Sequence, residues 1–516
     1  MYFTSTGLTR TKPVVIFLFL LACSLPACAQ FVQSERIEIP VARDEVSYEV
    51  VPAEEEGVIL YRRVLSSEGE KLQLIKLDTA FNISWQGFLP VNSRLEMMGK
   101  RNYEGKLYCL FRHREIARKD LELIVLENQT GNFVKHQVRN FIPFMPSDFQ
   151  VTSKAAIIGG YYNNVPVVIY YSLQHKTSKV LPGLLNESGE LTQIKTDSTG
   201  AFDVLISANT MVNQKTIWIK SYDPDGNILY QVPLKPESNK HLIFARSMKT
   251  TNNGQLVAGT YSNSRHSDYS KGIFIASIDP SGFQQIRYYN YGDLRNFFKY
   301  MKARREQRVQ ERIEHRRIRG KRIRFNYRFI VHEIVPYENQ FVLLGEAFYP
   351  KYVNVDRGSY GFFNPTLRMG NPIRNGRVFD GFRYTHAVVM GFDKSGKLLW
   401  DNSFEINDVK TFSLEQFVKL ETYRDKIALM YVYNNQLRSK IIHGSEVVEG
   451  KTYYPLRTAS SKDIARAERS SSISRLNYWY GKYFYASGVH EINNSETGSR
   501  RVFFINKINY SDHPQD

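Results

Sequence analysis

Apolar and polar positions alternate along most of this chain in short runs, punctuated by one recurring turn. Phe392-Asp393-Lys394-Ser395-Gly396-Lys397-Leu398-Leu399-Trp400 shows the unit in full: an apolar strand ending in Asp, a turn closed by Gly, then a second strand carrying an aromatic. Tyr222-Asp223-Pro224-Asp225-Gly226 and Ile278-Asp279-Pro280-Ser281-Gly282 repeat it, with looser copies at Leu126-Glu127-Asn128-Gln129-Thr130-Gly131 and Leu77-Asp78-Thr79-Ala80-Phe81. A period of two with Gly-closed turns predicts strands joined as hairpins. Extending outward from these turns groups the strands in fours, without helices between them, as expected for the blades of an all-β propeller. Units begin near residues 46, 94, 148, 191, 241, 327, 414 and 472, predicting eight four-stranded blades; the weak periodicity of the second and third units leaves seven as the alternative.

The last unit lacks an outer strand before the chain ends, and residues 35–40 form a lone alternating strand before the first full unit. Pairing these ends closes the ring and removes an exposed sheet edge. In such a meander, first-to-second and third-to-fourth turns share one face, and these are tight throughout. The other face receives the second-to-third connections and the links between blades. Every long insertion falls there: 262–271, 292–325, 350–383, 457–471 and 493–499. Long connections that a compact fold does not need are where function concentrates.

Composition supports this picture. The 33 Tyr and 32 Phe among 516 residues suit a pleated, half-buried surface, and 42% hydrophobic content excludes global disorder. Residues 1–29 read as a signal peptide: Arg10 and Lys12, an apolar run over 14–22, and Ala27-Cys28-Ala29 before Gln30. Export to the periplasm, the outer membrane or the medium follows, with a lipoprotein anchored at Cys23 or Cys28 as the alternative. Cleavage leaves a domain of residues 30–516 with Cys109 as its only cysteine, so no internal disulfide is available. Within the apolar segment Leu107-Tyr108-Cys109-Leu110-Phe111 that thiol is expected to be buried and inert. No transmembrane segment is expected in the mature chain.

Charge singles out one insertion. The chain carries a net +18, and residues 293–324 hold 13 Lys or Arg against 4 Asp or Glu, a net +9 and half of the excess. Asp293 is placed to cap a helix, Leu294, Phe298, Met301, Val309 and Ile313 recur at helical spacing, and Gly320 stops it. This basic helical insertion (293–325) reads either as a solvated helix packed on the rim or as a contact for an anionic envelope component: polysaccharide, lipid headgroup or acidic protein. Arg304, Arg305, Arg308, Arg312 and Arg316 would make those contacts, since guanidinium forks match phosphate and carboxylate. Nucleic acid is disfavoured as a partner by the export signal.

The second long insertion (350–383) is rich in Gly and aromatics. Tyr352, Tyr360 and Phe379 offer stacking faces and Arg357 and Arg383 planar donors, as a saccharide or peptide needs; the bland alternative is a self-packed lid over the channel. Catalytic motifs are scarce. His332-Glu333 lacks the second His of a zincin, and Asp223-Pro224-Asp225-Gly226 lacks the later acidic ligands of a calcium loop. His266 with Asp268, and Asp380, are candidate acid–base groups. His386 reads as a strand residue bonded in the sheet.

The Asp-x-x-Gly turn followed by an aromatic strand resembles exported bacterial β-propellers, including the quinoprotein-like type. That type has Trp after the turn in most blades, whereas only Trp400 and, loosely, Trp85 comply here. The resemblance therefore implies the fold, and neither a cofactor nor catalytic residues. The expectation is a non-enzymatic exported binding or scaffold protein using its elaborated face. The alternative is a carbohydrate-active lyase or hydrolase at the channel mouth.

Overall fold

The computed structural model describes residues 30–66, 69–115, 120–140, 142–182, 188–250, 254–265, 268–321, 323, 325–354, 377–407, 409–467 and 474–511. Residues 1–29, expected from the sequence to be a signal peptide and including Cys23 and Cys28, lie outside them. The described strands form eight antiparallel sheets, each built on a four-stranded meander, and the sixth and eighth carry a fifth strand. Their first strands are Glu49–Pro52, Leu95–Tyr103, Met145–Val151, Gly189–Thr196, His241–Lys249, Arg328–Tyr337, Lys419–Tyr423 and Arg475–Tyr480, close to the expected starts, so the count is eight and not seven.

The hydrophobic cores show how the sheets are arranged. The described residues form eight clusters, and each is shared by two successive sheets, as where Ile158 and Val167 of blade 3 meet Leu110 and Leu123 of blade 2. The last cluster packs Leu60 and Ile75 of blade 1 against Tyr485 and Ile505 of blade 8, so the series returns to its start and the molecule is an eight-bladed propeller. Strands in the middle of a blade are covered on both faces, which explains why Gln255–Ser262 is buried along its whole length. Outer strands such as Ile228–Pro233 are largely exposed.

Ring closure occurs as expected. Gln30–Pro40 pairs antiparallel with Gly498–Ser511, placing Phe31 opposite Tyr510 and Ile39 opposite Phe503. A half-buried charge network locks the joint: Arg36 to Glu38 at 2.8 Å, Arg500 to Glu38 at 3.0 Å and Arg500 to Asp463 at 2.7 Å.

The recurring turn is an Asx turn. Asp223 Oδ1 accepts from the amides of Asp225 and Asn227, at 2.9 and 2.8 Å, and Gly226 closes it at φ +73°. Asp393 and Asp279 repeat this with Gly396 at +77° and Gly282 at +85°. These turns also receive bonds from the preceding blade: Trp85 Nε1 donates to Asn128 O at 2.8 Å, Tyr170 Oη to Pro224 O at 3.0 Å and Tyr289 Oη to Gly396 O at 2.9 Å. Three plain-face turns, in blades 2, 4 and 6, are thus interblade clasps.

Two boundaries differ from the sequence reading. The basic helix, α1, spans only Ala303–Ile318, with Lys302 at its N-cap and no capping side chain. Asp293 instead accepts from the Asn290 amide at 3.1 Å, closing a turn, because Leu294, Phe297 and Phe298 are drawn into the core between blades 5 and 6 before a helix can start. Gly320 does follow the helix, at φ +60°. The second insertion is shorter than a 350–383 loop: its strands run as Gln340–Asn354 and Arg377–Phe392, paired out to Val353 with Val378 and Asn354 with Arg377. They form an arm projecting from blade 6, with Lys410–Thr411 added beside Phe382 and Arg383. In blade 8 the link strand Asp463–Ala467 similarly extends Tyr483–Asn494.

Candidate functional site

Helix α1 lies in the link between blades 5 and 6. Ile313 is buried in their shared core, with Val309 and Met301 packed partly against it. The link is pinned further by Asp401, whose carboxylate accepts from the Arg295 and Asn296 amides at 3.0 and 2.7 Å. With one face of the helix committed to the core, Arg304, Arg305, Arg308 and Arg312 are left exposed. None of these four has an ion-pair partner among the described residues, whereas Arg317 reaches Asp293 at 3.7 Å and Gly292 O at 3.2 Å. Arg316 is half-buried on the flank.

On the blade 6 arm, Tyr352 pairs across the ladder with Phe379, their ring centroids 5.8 Å apart, and Phe379 meets Phe382 at 4.9 Å. These aromatics pack on one another. Arg383 sits opposite Lys410 in the same arm, and Arg357 and Tyr360 lie outside the described residues. The candidate acids do not converge. Asp268 is bound to Arg328 at 2.9 Å, Asp380 is bound to Lys410 and 3.8 Å from Lys351, and His266 lies outside the described residues.

The two remaining histidines of interest are buried. His386 stacks on Tyr300 at 3.8 Å, with Phe297 edge-on at 4.8 Å, and bonds Thr385 Oγ1 through Nδ1 at 2.9 Å. Burial pushes it down to about 3, so it stays neutral. His332 bonds the buried Glu346 at 2.8 Å, while Glu333 turns away to Lys195 at 2.7 Å. Cys109 is buried with its thiol pushed up to about 12 by desolvation, as expected of an inert packing residue.

Two sizeable cavities lie elsewhere on the elaborated face, and no sequence motif marked them. One of about 1050 Å³ is lined by Glu49, Tyr61, Arg62, Glu96 and Lys100; a second of about 670 Å³, sharing Glu49 and Lys100, extends to Arg475, Phe412 and Phe503. At their junction Tyr61 Oη and Lys100 Nζ each donate to Glu49 Oε2 at 2.5 Å, and Lys100 lies 2.7 Å from Tyr61 Oη. Burial alone would raise Glu49, but Lys100 and Tyr61 bring it below its ordinary value. Desolvation first, and the Glu49 charge second, keep the Tyr61 phenol firmly protonated. The three groups come from blades 1 and 2, with Arg475 of blade 8 nearby, so no spacing in the sequence could announce them. Glu421, on the first strand of blade 7, is pushed up to about 7 by burial.

An eight-bladed propeller with one elaborated face is the class of protein these features define. No protein-family model matches the chain, and no curated relative matches it. Solved structures similar to it include a polysaccharide lyase, Uly1, at 10% identity over 92% of this chain and 99% of that one, TM-score 0.42. Dihydro-heme d1 dehydrogenase NirN is similar at 10% identity over 93% and 79%, TM-score 0.42, and the propeller domain of the Trilobed protease from Pyrococcus furiosus at 7% over 79% and 98%, TM-score 0.36. Their activities differ, and the likeness is one of architecture. Among the described residues no helix is long and apolar enough to cross a membrane.

Proposed function

We propose that this chain is a non-enzymatic binding protein, exported to the bacterial envelope, that holds an anionic partner with its elaborated face. The observation that carries this reading is the commitment of α1: Ile313 fixes the helix to the propeller while Arg304, Arg305, Arg308 and Arg312 stay exposed, without ion-pair partners among the described residues. Like charges at i, i+4 spacing weaken a helix by a few tenths of a kcal/mol per pair, and an anionic partner relieves that repulsion. The test is retention on an immobilised polyanion as salt is raised. Replacing the four Arg with Gln should lower the salt at which the chain elutes; unchanged elution would refute the role of α1.

A carbohydrate-active enzyme is the second reading, favoured by the junction of Glu49, Tyr61, Lys100 and Arg475 in the paired cavities. It relocates the chemistry from Asp268 and Asp380, which are tied up in ion pairs. Lyase action would generate an unsaturated, ultraviolet-absorbing sugar end from an acidic polysaccharide, and Tyr61→Phe should abolish it. Screening acidic polysaccharides for that absorbance decides the matter.

A further inference from the structure

The two faces of the propeller differ in what their connections expose. On the plain face the described tight turns have mainly polar tips, and the strand ends beside them expose Ile83, Leu229, Phe283, Leu399 and Val447 at 49–69%. Connections and strand ends on the elaborated face expose several more completely. Met211 and Val212 form the tip joining the second and third strands of blade 4, with exposures of 101% and 80%. Leu65 is 86% exposed at the corresponding end in blade 1. Ile318 ends α1, Phe412 lies in the link after blade 6, and Ile464 in the strand that extends blade 8; all are exposed.

Isolated exposed apolar side chains are ordinary, but the four most exposed large ones among the described residues, Met211, Leu65, Val212 and Ile318, all lie at connections of the elaborated face. Turn tips favour polar residues that bond their own backbone. A Met-Val pair at a fully solvated tip forgoes that stabilisation and buries nothing in this chain. Nor do these residues gather into one groove that a single small partner could fill. They are distributed around the ring, from blade 1 through blades 4 and 6 to blade 8, each one side chain deep. Beside them on the same face stands the basic helix.

We infer that the elaborated face docks on an anionic lipid surface, with Leu65, Met211 and Val212 entering the acyl boundary and the α1 guanidinium groups meeting the headgroups. A bilayer is the one partner that is flat, extended and apolar just beneath a charged layer. Shallow apolar insertion combined with basic attraction is the usual physics of peripheral membrane binding. The inference rests on the anionic-partner reading and narrows it to lipid. It also assigns the plain face to solvent.

The described fold is complete between Gln30 and Ser511, so the chain beginning at Gln30 is the proper reagent; it omits the apolar run at 14–22, which would partition into lipid by itself. The probes are vesicles of phosphatidylglycerol with phosphatidylcholine, and of phosphatidylcholine alone. Met211→Cys carrying an environment-sensitive fluorophore reports insertion, and labelling is selective because Cys109 is buried. Sedimentation with the anionic vesicles, a blue shift of the label, and a loss of about tenfold or more in binding for the triple change Leu65→Ser, Met211→Ser and Val212→Ser are expected. Anionic-vesicle binding with no blue shift and no effect of the triple change would overturn lipid insertion. Retention on a polyanion through the four Arg without vesicle binding would overturn the lipid inference and leave the anionic-partner reading standing. Failure on both surfaces would overturn both.

Discussion

The plain face and the elaborated face are made by the same strands, yet they spend their residues differently. Plain-face turns satisfy themselves and their neighbours: the Asp carboxylate bonds the turn's own amides, and the turn's carbonyls accept from Trp85, Tyr170 or Tyr289 of the preceding blade. On the other face the connections satisfy less of themselves. They leave Arg304 and Arg308 exposed, project the blade 6 arm and carry apolar tips. A repeat fold stable through its clasps on one face is free to vary the other.

The largest effect that tests this contrast is acid. His386 and His490 sit on the elaborated halves of blades 6 and 8, both pushed down to about 3, first by burial. Each is held neutral in the fold but protonates near pH 6.5 when unfolded. The unfolded chain therefore binds more protons between about pH 6.5 and 3, and stability falls as pH drops through that window, by up to a few kcal/mol per group. Asp463, set to about 2 first by the Arg500 hydrogen bond, adds a loss below about pH 4 that continues down to 2. Hydrogen exchange, corrected for intrinsic rates, should show blades 6 and 8 opening before blades 2 to 4. His386→Phe should flatten the thermal-melting profile between pH 6.5 and 4, and an unchanged profile would assign the acid sensitivity elsewhere.

Next in size is the plain-face turn itself. Gly226→Ala places a Cβ at φ +73° and 2.8 Å from Tyr170 Cδ2, which should cost about 1–3 kcal/mol in chemical denaturation. Asp223→Ala removes an acceptor for two amides and the Asn227 side chain and should cost about 1 kcal/mol. Neither change should alter polyanion retention. Smallest for stability is the four-Arg replacement, expected within about 0.5 kcal/mol of the parent while binding weakens. If a plain-face change altered binding, or the Arg changes unfolded the protein, the division of labour between faces would fail.

Much of this was readable in the chain order. The Asp223, Asp279 and Asp393 turns give the period, and the short alternating segment before Pro40 matches the missing strand of the last blade. The length of α1 was not readable, since the spacing of Leu294 and Phe298 suits a helix as well as a turn whose side chains fall into a core. The arm was misread as a loop because Tyr352 and Phe379 carry no turn signal between strand and insertion. Arg357 and Tyr360 remain expectations beyond the described residues.

What the sequence determined by itself is the repeat, the closure, the faces and the concentration of charge, because each depends on local period or on counts along the chain. Only the tertiary structure decided which charges stay free and which groups meet. Ile313 had to find the core between two blades before the exposed side of α1 was defined. Glu49, Tyr61, Lys100 and Arg475 had to be carried together by three blades before they lined two adjoining cavities. Burial and cross-blade distance are properties of the closed ring, and no stretch of the chain holds them alone.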